Sequence, residues 1–315
     1  ALGVEGENRP GIWSGIEILE KLVLGEKVVL GDRVAIVGGG NTAIDTARTA
    51  VRLGSKEVSI VYRRSKKEMP AHPDEIHEAE EEGVKFHFLT APKGFPGGDT
   101  VAGPVTSMRC IKMALGEPDA SGRRRPVEVA GSEFDLPVDS VIAAIGQKVN
   151  WKFKASQAEK EGLKITKWGT VEANEKTLQA SQPDVWTSGD CFTGPATAIE
   201  AIAAGRRAAL SINQVLSGQA LSTASLATHP YNISKGSLKQ LKPQEYQHHP
   251  KKERAVNPAL PPEERIKSHQ EVALGLNEKA AKEEANRCLL CGCQEAGSCA
   301  LRKYSAQYAA TGEIY

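Results

Sequence analysis

The sequence predicts an α/β fold, in which a mostly parallel sheet is wound through helices, broken by a short antiparallel meander and followed by a cysteine-rich extension. Three observations predict it. First, the apolar run Arg33–Val37 leads into a glycine cluster, Thr42–Leu53 then has helical spacing, and Glu57–Val61 is a second, β-branched strand. Second, Asp74–Glu82 has helical character while Val84–Leu89 alternates like a strand. Third, residues 93–138 are rich in Gly, Pro and Val, as in a run of short antiparallel strands, and Val138–Ile145 closes the unit as an apolar strand.

Before Arg33 stand a Gly/Pro turn region, an amphipathic run at Ile16–Leu24 and a Gly31-Asp32 turn. A second α/β stretch covers 152–218 and contains an expected strand, Asp184–Thr187, and a long helix, Ala196–Leu216. Past Gly218 the composition shifts to Pro, Lys, His and Gln, which reads as an extended arm or linker. Asn277 then caps an expected helix, Glu278–Asn286, leading into the cysteines. The chain of 315 residues is long enough for two cores, and 40% hydrophobic with 25% charged residues is ordinary for a globular protein. A net charge of +1 gives no electrostatic reason to expect nucleic acid or an anionic membrane. No apolar stretch approaches the roughly 18–20 residues of a membrane helix. Residues 1–7 resemble neither a signal peptide nor a methionine start, as if cut from within a longer protein.

The sharpest motif is Val34-Ala35-Ile36-Val37-Gly38-Gly39-Gly40-Asn41-Thr42-Ala43, a Gly-x-Gly-x-x-Ala between a strand and a helix. Gly38 allows the tight turn, Gly40 lets the backbone approach a pyrophosphate, and Ala43 keeps the helix close to the sheet. Amides at the helix start then hold the phosphates. This is the Rossmann-like arrangement for a nicotinamide dinucleotide. An NAD site carries an acid about 20 residues past the turn, at the end of the second strand. Here Val58–Tyr62 ends in Arg63-Arg64, followed by Lys66-Lys67. Guanidinium groups pair with a 2′-phosphate that a carboxylate would repel, so the site is expected to prefer NADP; a solvated basic loop is the bland alternative. Val185–Asp190 ends in Gly189-Asp190 ahead of Thr197-Ala198 and a long helix. Asp190 could accept from a ribityl hydroxyl, and the helix start could face the reduced flavin's N1/O2 edge; an ordinary capped turn is the alternative.

Taken in order, the glycine turn, Tyr62-Arg63-Arg64-Ser65, Glu68-Met69-Pro70-Ala71, Ala144-Ile145-Gly146-Gln147 and Thr187-Ser188-Gly189-Asp190 resemble the glutamate synthase small subunit and its relatives. That family of flavin-dependent oxidoreductases includes the NADPH-oxidising part of dihydropyrimidine dehydrogenase. The resemblance spans residues 1 to about 220. It implies an NADP-binding Rossmann-like domain (33–150) inserted in a partial FAD-binding domain, to which 1–32 and 151–218 belong, with an arm and cysteine cluster at 219–315. Gly38, Gly39, Gly40, Asn41, Thr42 and Ala43 would meet the pyrophosphate, and Arg63 and Arg64 the 2′-phosphate. Gly189, Asp190, Thr197 and Ala198 would lie along FAD, and Gly146 and Gln147 near the junction of nicotinamide and flavin. Family members begin with a ferredoxin-like domain and a first FAD fingerprint, neither of which is in this sequence, so another chain or segment is expected to grip the FAD adenosine.

Four of six cysteines, Cys288, Cys291, Cys293 and Cys299, fall within 12 residues in the pattern Cys-x2-Cys-x-Cys-x5-Cys. Such crowding suits metal ligation in a reducing cytoplasm more than distant disulfides. A compact run suits a [4Fe–4S] cluster, with tetrahedral zinc or free thiols as alternatives. Cys110 and Cys191 stand alone and are expected to be buried spectators, and Glu78, Glu80, Glu81 and Glu82 to form a solvated helix face. No Ser/His/Asp triad or carboxylate pair stands out. The expected function is hydride transfer between NADP(H) and FAD, with electrons relayed through iron–sulfur centres to or from a partner subunit. The alternative is an NADP- and metal-binding module of a larger complex without turnover of its own.

Overall fold

In a computed structural model, residues 2–96, 103–118, 122–147, 149, 162–221 and 253–286 are described. The chain divides into one unit of Ala1–Leu221 with Pro261–Gln270 and a second of Ser222–Leu260 with Glu271–Tyr315. In the first, the chain passes through β1 (Ile12–Ser14), α1 (Gly15–Val23), β2 (Arg33–Val37), α2 (Asn41–Arg52), β3 (Glu57–Tyr62), α3 (Pro73–Glu81) and β4 (Lys85–Phe88). It continues through β5 (Thr90–Gly94), β6 (Ser107–Pro118), β7 (Arg124–Glu128), β8 (Phe134–Pro137) and β9 (Ser140–Ala143).

The parallel sheet has the order β1-β9-β2-β3-β4. The strands β5 to β8 form a second, antiparallel sheet, with β6 pairing β5, β7 and β8. Side-chain alternation along β2 and β3 explains the layering. Val34, Ile36, Val58 and Ile60 join Ile44, Ala47 and Ala50 of α2 and Ile76 of α3 in one core. Ala35, Val37 and Val61 turn the other way and pack with Met108, Cys110 and Phe95 in another. Helices, parallel sheet and antiparallel sheet therefore make three layers, and the buried β2 and β3 read as nearly continuous apolar runs.

Most boundaries lie within a few residues of those expected from periodicity. The exceptions have identifiable causes. Residues 12–14, expected ahead of the sheet, belong to it as β1, paired with β9, and α1 packs on α2, with Ile18 buried and Gly15 against Thr42 and Thr46. Three residues are too few to show a period. The expected strand Asp184–Thr187 is instead an isolated bridge, Gln179↔Trp186, with Thr187 donating to the Leu178 carbonyl at 3.0 Å. Pro183 interrupts the donor pattern there, and Trp186 is held by its indole N–H to Ser211 Oγ at 3.0 Å.

The acidic run on α3 also departs from the solvated face expected of it. The Glu82 side chain, at the C-terminal end of α3, is fully buried, 2.6 Å from Arg48 and 2.7 Å from Arg52 of α2. Glu78 meets Arg48 at 2.7 Å, Glu81 meets Arg265 at 2.8 Å and Glu80 meets Lys66 at 2.6 Å. Ser268 adds a carbonyl that accepts from Arg52 Nε at 3.0 Å. The arm thus lies against α2 and α3 at 265–268, where its own sequence carries no apolar period.

The first unit also contains α4 (Asp190–Thr193), α5 (Ala198–Leu216) and the short α6 (Pro262–Arg265). Leu178, Ala204 and Ala208 form a small core with Trp186 and Phe192. In the second unit, Ala259 bridges Ala273 and α7 (Glu278–Ala285) starts at Asn277, whose Oδ1 accepts from the Ala280 amide at 2.9 Å. Among the described residues no helix is long and apolar enough to cross a membrane.

Candidate dinucleotide site

All strands of the parallel sheet point the same way, so the ends of β2, β3 and β9 share one edge. There the chain leaves β2 for β3 on one side and meets β9 on the other. This is a switch point, where open α/β sheets form their crevices. A cavity of about 540 Å³ opens at this edge, a size ordinary for a small-molecule site. Its floor is the glycine turn, Gly38 to Gly40, with Thr42, and its walls come from Tyr62 at the end of β3, Arg63 and Arg64 after it, Thr90–Pro92 of β5, and Ala144–Gly146 after β9.

The three glycines are needed for different reasons. Gly38 has φ +151°, and a Cβ there would sit 2.2 Å from the Ala144 carbonyl oxygen. Its amide donates to the Val61 carbonyl at 3.1 Å, which holds the turn against β3. A Cβ at Gly39 would meet the Tyr62 ring at 2.5 Å, and Tyr62 is itself fixed by its hydroxyl donating to the Glu68 carbonyl at 2.8 Å. At Gly40 a Cβ would meet only Pro70 Cγ, at 4.0 Å. Packing therefore demands glycine at 38 and 39. At 40 the protein leaves open space, the cradle a close-approaching pyrophosphate needs. Gly40 is also the N-cap of α2 and offers no capping side chain, so the amides of Asn41 and Thr42, ahead of Ala43, are left for another acceptor.

The other expected binding residues are placed as follows. Asn41 Oδ1 accepts from the His72 amide at 3.2 Å, anchoring the loop after the basic segment. Ala43 is buried between helix and sheet, and its amide donates to Gly40 O at 2.9 Å. Arg63 is exposed, whereas Arg64 is 6% exposed and its Nε donates to the Arg124 carbonyl at 2.7 Å. The expected pair is thus split into one arginine at the cavity surface and one that ties the end of β3 to β7. Gly146 lines the cavity and Gln147 is exposed outside its lining.

Gly189, Asp190, Thr197 and Ala198 form a different edge. Gly189 has φ +60°, and Asp190 Oδ1 accepts from the Ala196 amide at 3.3 Å. Thr197 caps α5 in a reciprocal box: Glu200 Oε2 accepts from the Thr197 amide at 2.9 Å, and Thr197 Oγ1 accepts from the Glu200 amide at 3.4 Å. Asp190, Thr197 and Ala198 are all exposed. The residues present fit a dinucleotide on the glycine turn, while this second edge has no comparable wall among its described neighbours.

Cys288, Cys291, Cys293 and Cys299 lie outside the described residues. Cys110 and Cys191 are free thiols; Cys110 is buried as expected, whereas Cys191, at the second position of the short α4, is exposed. Burial raises the Cys110 thiol to about 12, which keeps it protonated and unreactive. Sequence reasoning missed Tyr62 as the reason for Gly39, and Arg123 as a wall of the cavity. The Arg123-Arg124-Arg125 run is visible in the sequence, but only the fold brings it back to Arg63.

Residues 1–205 match the profile of the pyridine nucleotide-disulphide oxidoreductases. The chain belongs to that family. It is 40% identical over 297 residues to the NADP(+)-dependent formate dehydrogenase subunit beta of Moorella thermoacetica, covering 92% of this chain and 40% of that protein. It is 37% identical over 322 residues to the NADPH-Fe(3+) oxidoreductase subunit beta of Geobacter sulfurreducens, covering 92% of this chain and 46% of that protein. The glutamate synthase [NADPH] small chain of Azospirillum brasilense is 38% identical over 194 residues, covering 62% of this chain and 39% of that protein. The chain spans less than half the length of these relatives. Among solved structures, FprA of Mycobacterium tuberculosis superposes with a TM-score of 0.56 at 18% identity, covering 69% of this chain and 61% of FprA, a likeness of fold.

Proposed function

We propose that the chain is the NADP(H)-handling portion of an oxidoreductase subunit that exchanges reducing equivalents between NADP(H) and FAD and passes them to or from a partner through iron–sulfur centres. One observation carries this reading: the turn Gly38–Gly40 leaves open space at Gly40, under uncapped helix amides, with Arg63 at the far wall of the same cavity. The names of the relatives, subunits of NADP(H)-linked enzymes, support the same assignment.

When bound, the nicotinamide–flavin pair supplies hydride exchange and the conversion of electron pairs into single-electron flow. The chain's own residues supply position. The amides at the start of α2 hold the pyrophosphate, Gly40 lets the backbone come close to it, and Arg63 neutralises the 2′-phosphate. Ala144–Gly146 bound the end of the cavity beyond β9. No general acid or base is required of these residues, because orientation and charge placement are the protein's contribution. Cys288, Cys291, Cys293 and Cys299 are the candidate cluster ligands, with zinc as the alternative metal. Their crowding supports a reducing, cytoplasmic setting.

A second reading is favoured by the exposure of Asp190, Thr197 and Ala198: the chain alone is an NADP-binding module, and flavin is completed by a further polypeptide segment. Anaerobic titration of the purified chain with NADPH separates the two. A visible flavin band bleached by NADPH is the expected result for the first reading. Colourless protein that binds NADPH by calorimetry supports the module, and no heat with NADPH or NADH overturns both.

A further inference from the structure

We infer that the β6–β7 hairpin is part of the coenzyme site and that Arg123 and Arg125 determine its specificity for a phosphorylated adenosine ribose, a role that rests on the NADP reading above. Arg123 lines the same cavity as Gly38–Gly40 and Arg63. Arg125 lines an adjoining cleft of about 620 Å³, again with Arg63 and Arg64. Two arginines some 60 positions downstream of β3 therefore face the arginines that follow it.

The hairpin holds them there by a specific construction. Its ladder shifts register between Leu115 and Pro118. Arg124 bridges that irregularity, donating from Nη2 to the Leu115 carbonyl at 2.6 Å and from Nε to the Gly116 carbonyl at 3.1 Å. Its own carbonyl accepts from the buried Arg64 Nε at 2.7 Å, which fastens β7 to the end of β3. Arg124 is committed to the hairpin backbone. Its neighbours on either side point the opposite way along an extended chain, onto the cavity and the cleft. Arg64 is thus a positioning residue, and Arg63, Arg123 and Arg125 form the cationic surface.

A run of arginines on a hairpin is ordinarily a solvated charge. Two features distinguish this one: it lines the coenzyme cavity, and a buried side chain anchors it. Glu117 is the acid in the outer cleft, against Arg63, Arg64 and Arg125. A phosphomonoester near pH 7 carries close to two charges and three acceptor oxygens, more than one exposed guanidinium can satisfy. Arginine on two facing walls brackets it. A free ribose hydroxyl offers those walls no charge to bracket.

The test is calorimetry on the full chain with NADPH, NADH and 2′,5′-ADP, comparing wild type with Arg123→Gln, Arg125→Gln, the double variant and Arg63→Gln. All three arginines are exposed, so the fold is expected to survive, and unfolding midpoints check this. Each hairpin variant is expected to weaken NADPH and 2′,5′-ADP by roughly 10-fold, with NADH unchanged, as for one lost hydrogen bond to a charged group. Unchanged NADPH affinity in the double variant, or an equal loss of NADH, overturns the hairpin's role. If Arg63→Gln alone loses NADPH selectivity, the NADP reading stands and the hairpin proposal fails. If wild type binds neither coenzyme, the site itself is misassigned.

Discussion

The helix starts at the two expected cofactor edges of this molecule are built in opposite ways. At α2 the N-cap is Gly40, no side chain caps the turn, and the amides face a walled cavity. At α5 the N-cap is Thr197, Glu200 closes the turn reciprocally, and the surrounding residues are exposed. A helix start leaves four donors to satisfy. The first leaves the amides of Asn41 and Thr42 without a cap, whereas the second satisfies part of its own demand with a carboxylate. The contrast separates a helix start walled in by the chain's own residues from one whose residues are exposed.

The sharpest way to break that contrast is inside the glycine turn. Gly38→Ala sets a Cβ on the Ala144 carbonyl at a backbone angle that alanine rarely adopts. It is expected to cost about 3 kcal/mol or more of stability, read by chemical unfolding. Gly40→Ala meets nothing closer than Pro70 at 4.0 Å, so its stability should change by less than about 1 kcal/mol. Its NADPH affinity should nevertheless fall roughly 10- to 100-fold, because the methyl group occupies the pyrophosphate's approach. Equal destabilisation by the two substitutions would remove the argument that Gly40 serves the ligand.

A comparable loss is expected well away from the turn, in the helix layer that supports it. Glu82→Ala leaves Arg48 and Arg52 facing an empty buried position, and loss of one partner from such a group costs about 3 kcal/mol. Burial would raise the Glu82 carboxyl, but hydrogen bonds from Arg52 and Arg48 outweigh it and hold the group below the ordinary carboxylate range. The folded value thus lies under the unfolded value of about 4.3. The stabilisation is full above that pH and is lost as pH falls through the depressed value. Wild type should lose stability with acid more steeply than Glu82→Gln between about pH 5 and 3. Parallel pH curves for the two proteins would show that the cluster is not coupled to folding.

How much of this was legible in the sequence follows from the range of each interaction. Local signals carried far: the apolar run Arg33–Val37, the turn at Gly38–Gly40 and the cap at Asn277 each depend on a few neighbours, and the structure places them as expected. Gly40's separate status was not legible, because it depends on what lies opposite each glycine, Ala144 and Tyr62 for the first two and open space for the third. The acidic run on α3 looked solvated because its partners Arg48, Arg52 and Arg265 lie on other elements. The hairpin arginines were hidden for the same reason, since Arg123 faces Arg63 only after the antiparallel excursion folds back.

The smallest expected effect probes the open edge. Ile199 and Ile202, one helical turn apart on α5, are 69% and 67% exposed. The double substitution Ile199→Ser/Ile202→Ser should change the unfolding free energy of this chain only by about 0.5 kcal/mol, since little buried apolar area is lost. Coenzyme affinity at the Gly38–Gly40 turn should not move at all. A destabilisation above about 2 kcal/mol would mean that the face is already covered in solution. Concentration-dependent unfolding would then assign the cover to a second copy of the chain. Near-neutral stability instead leaves this face of α5 as a free apolar surface.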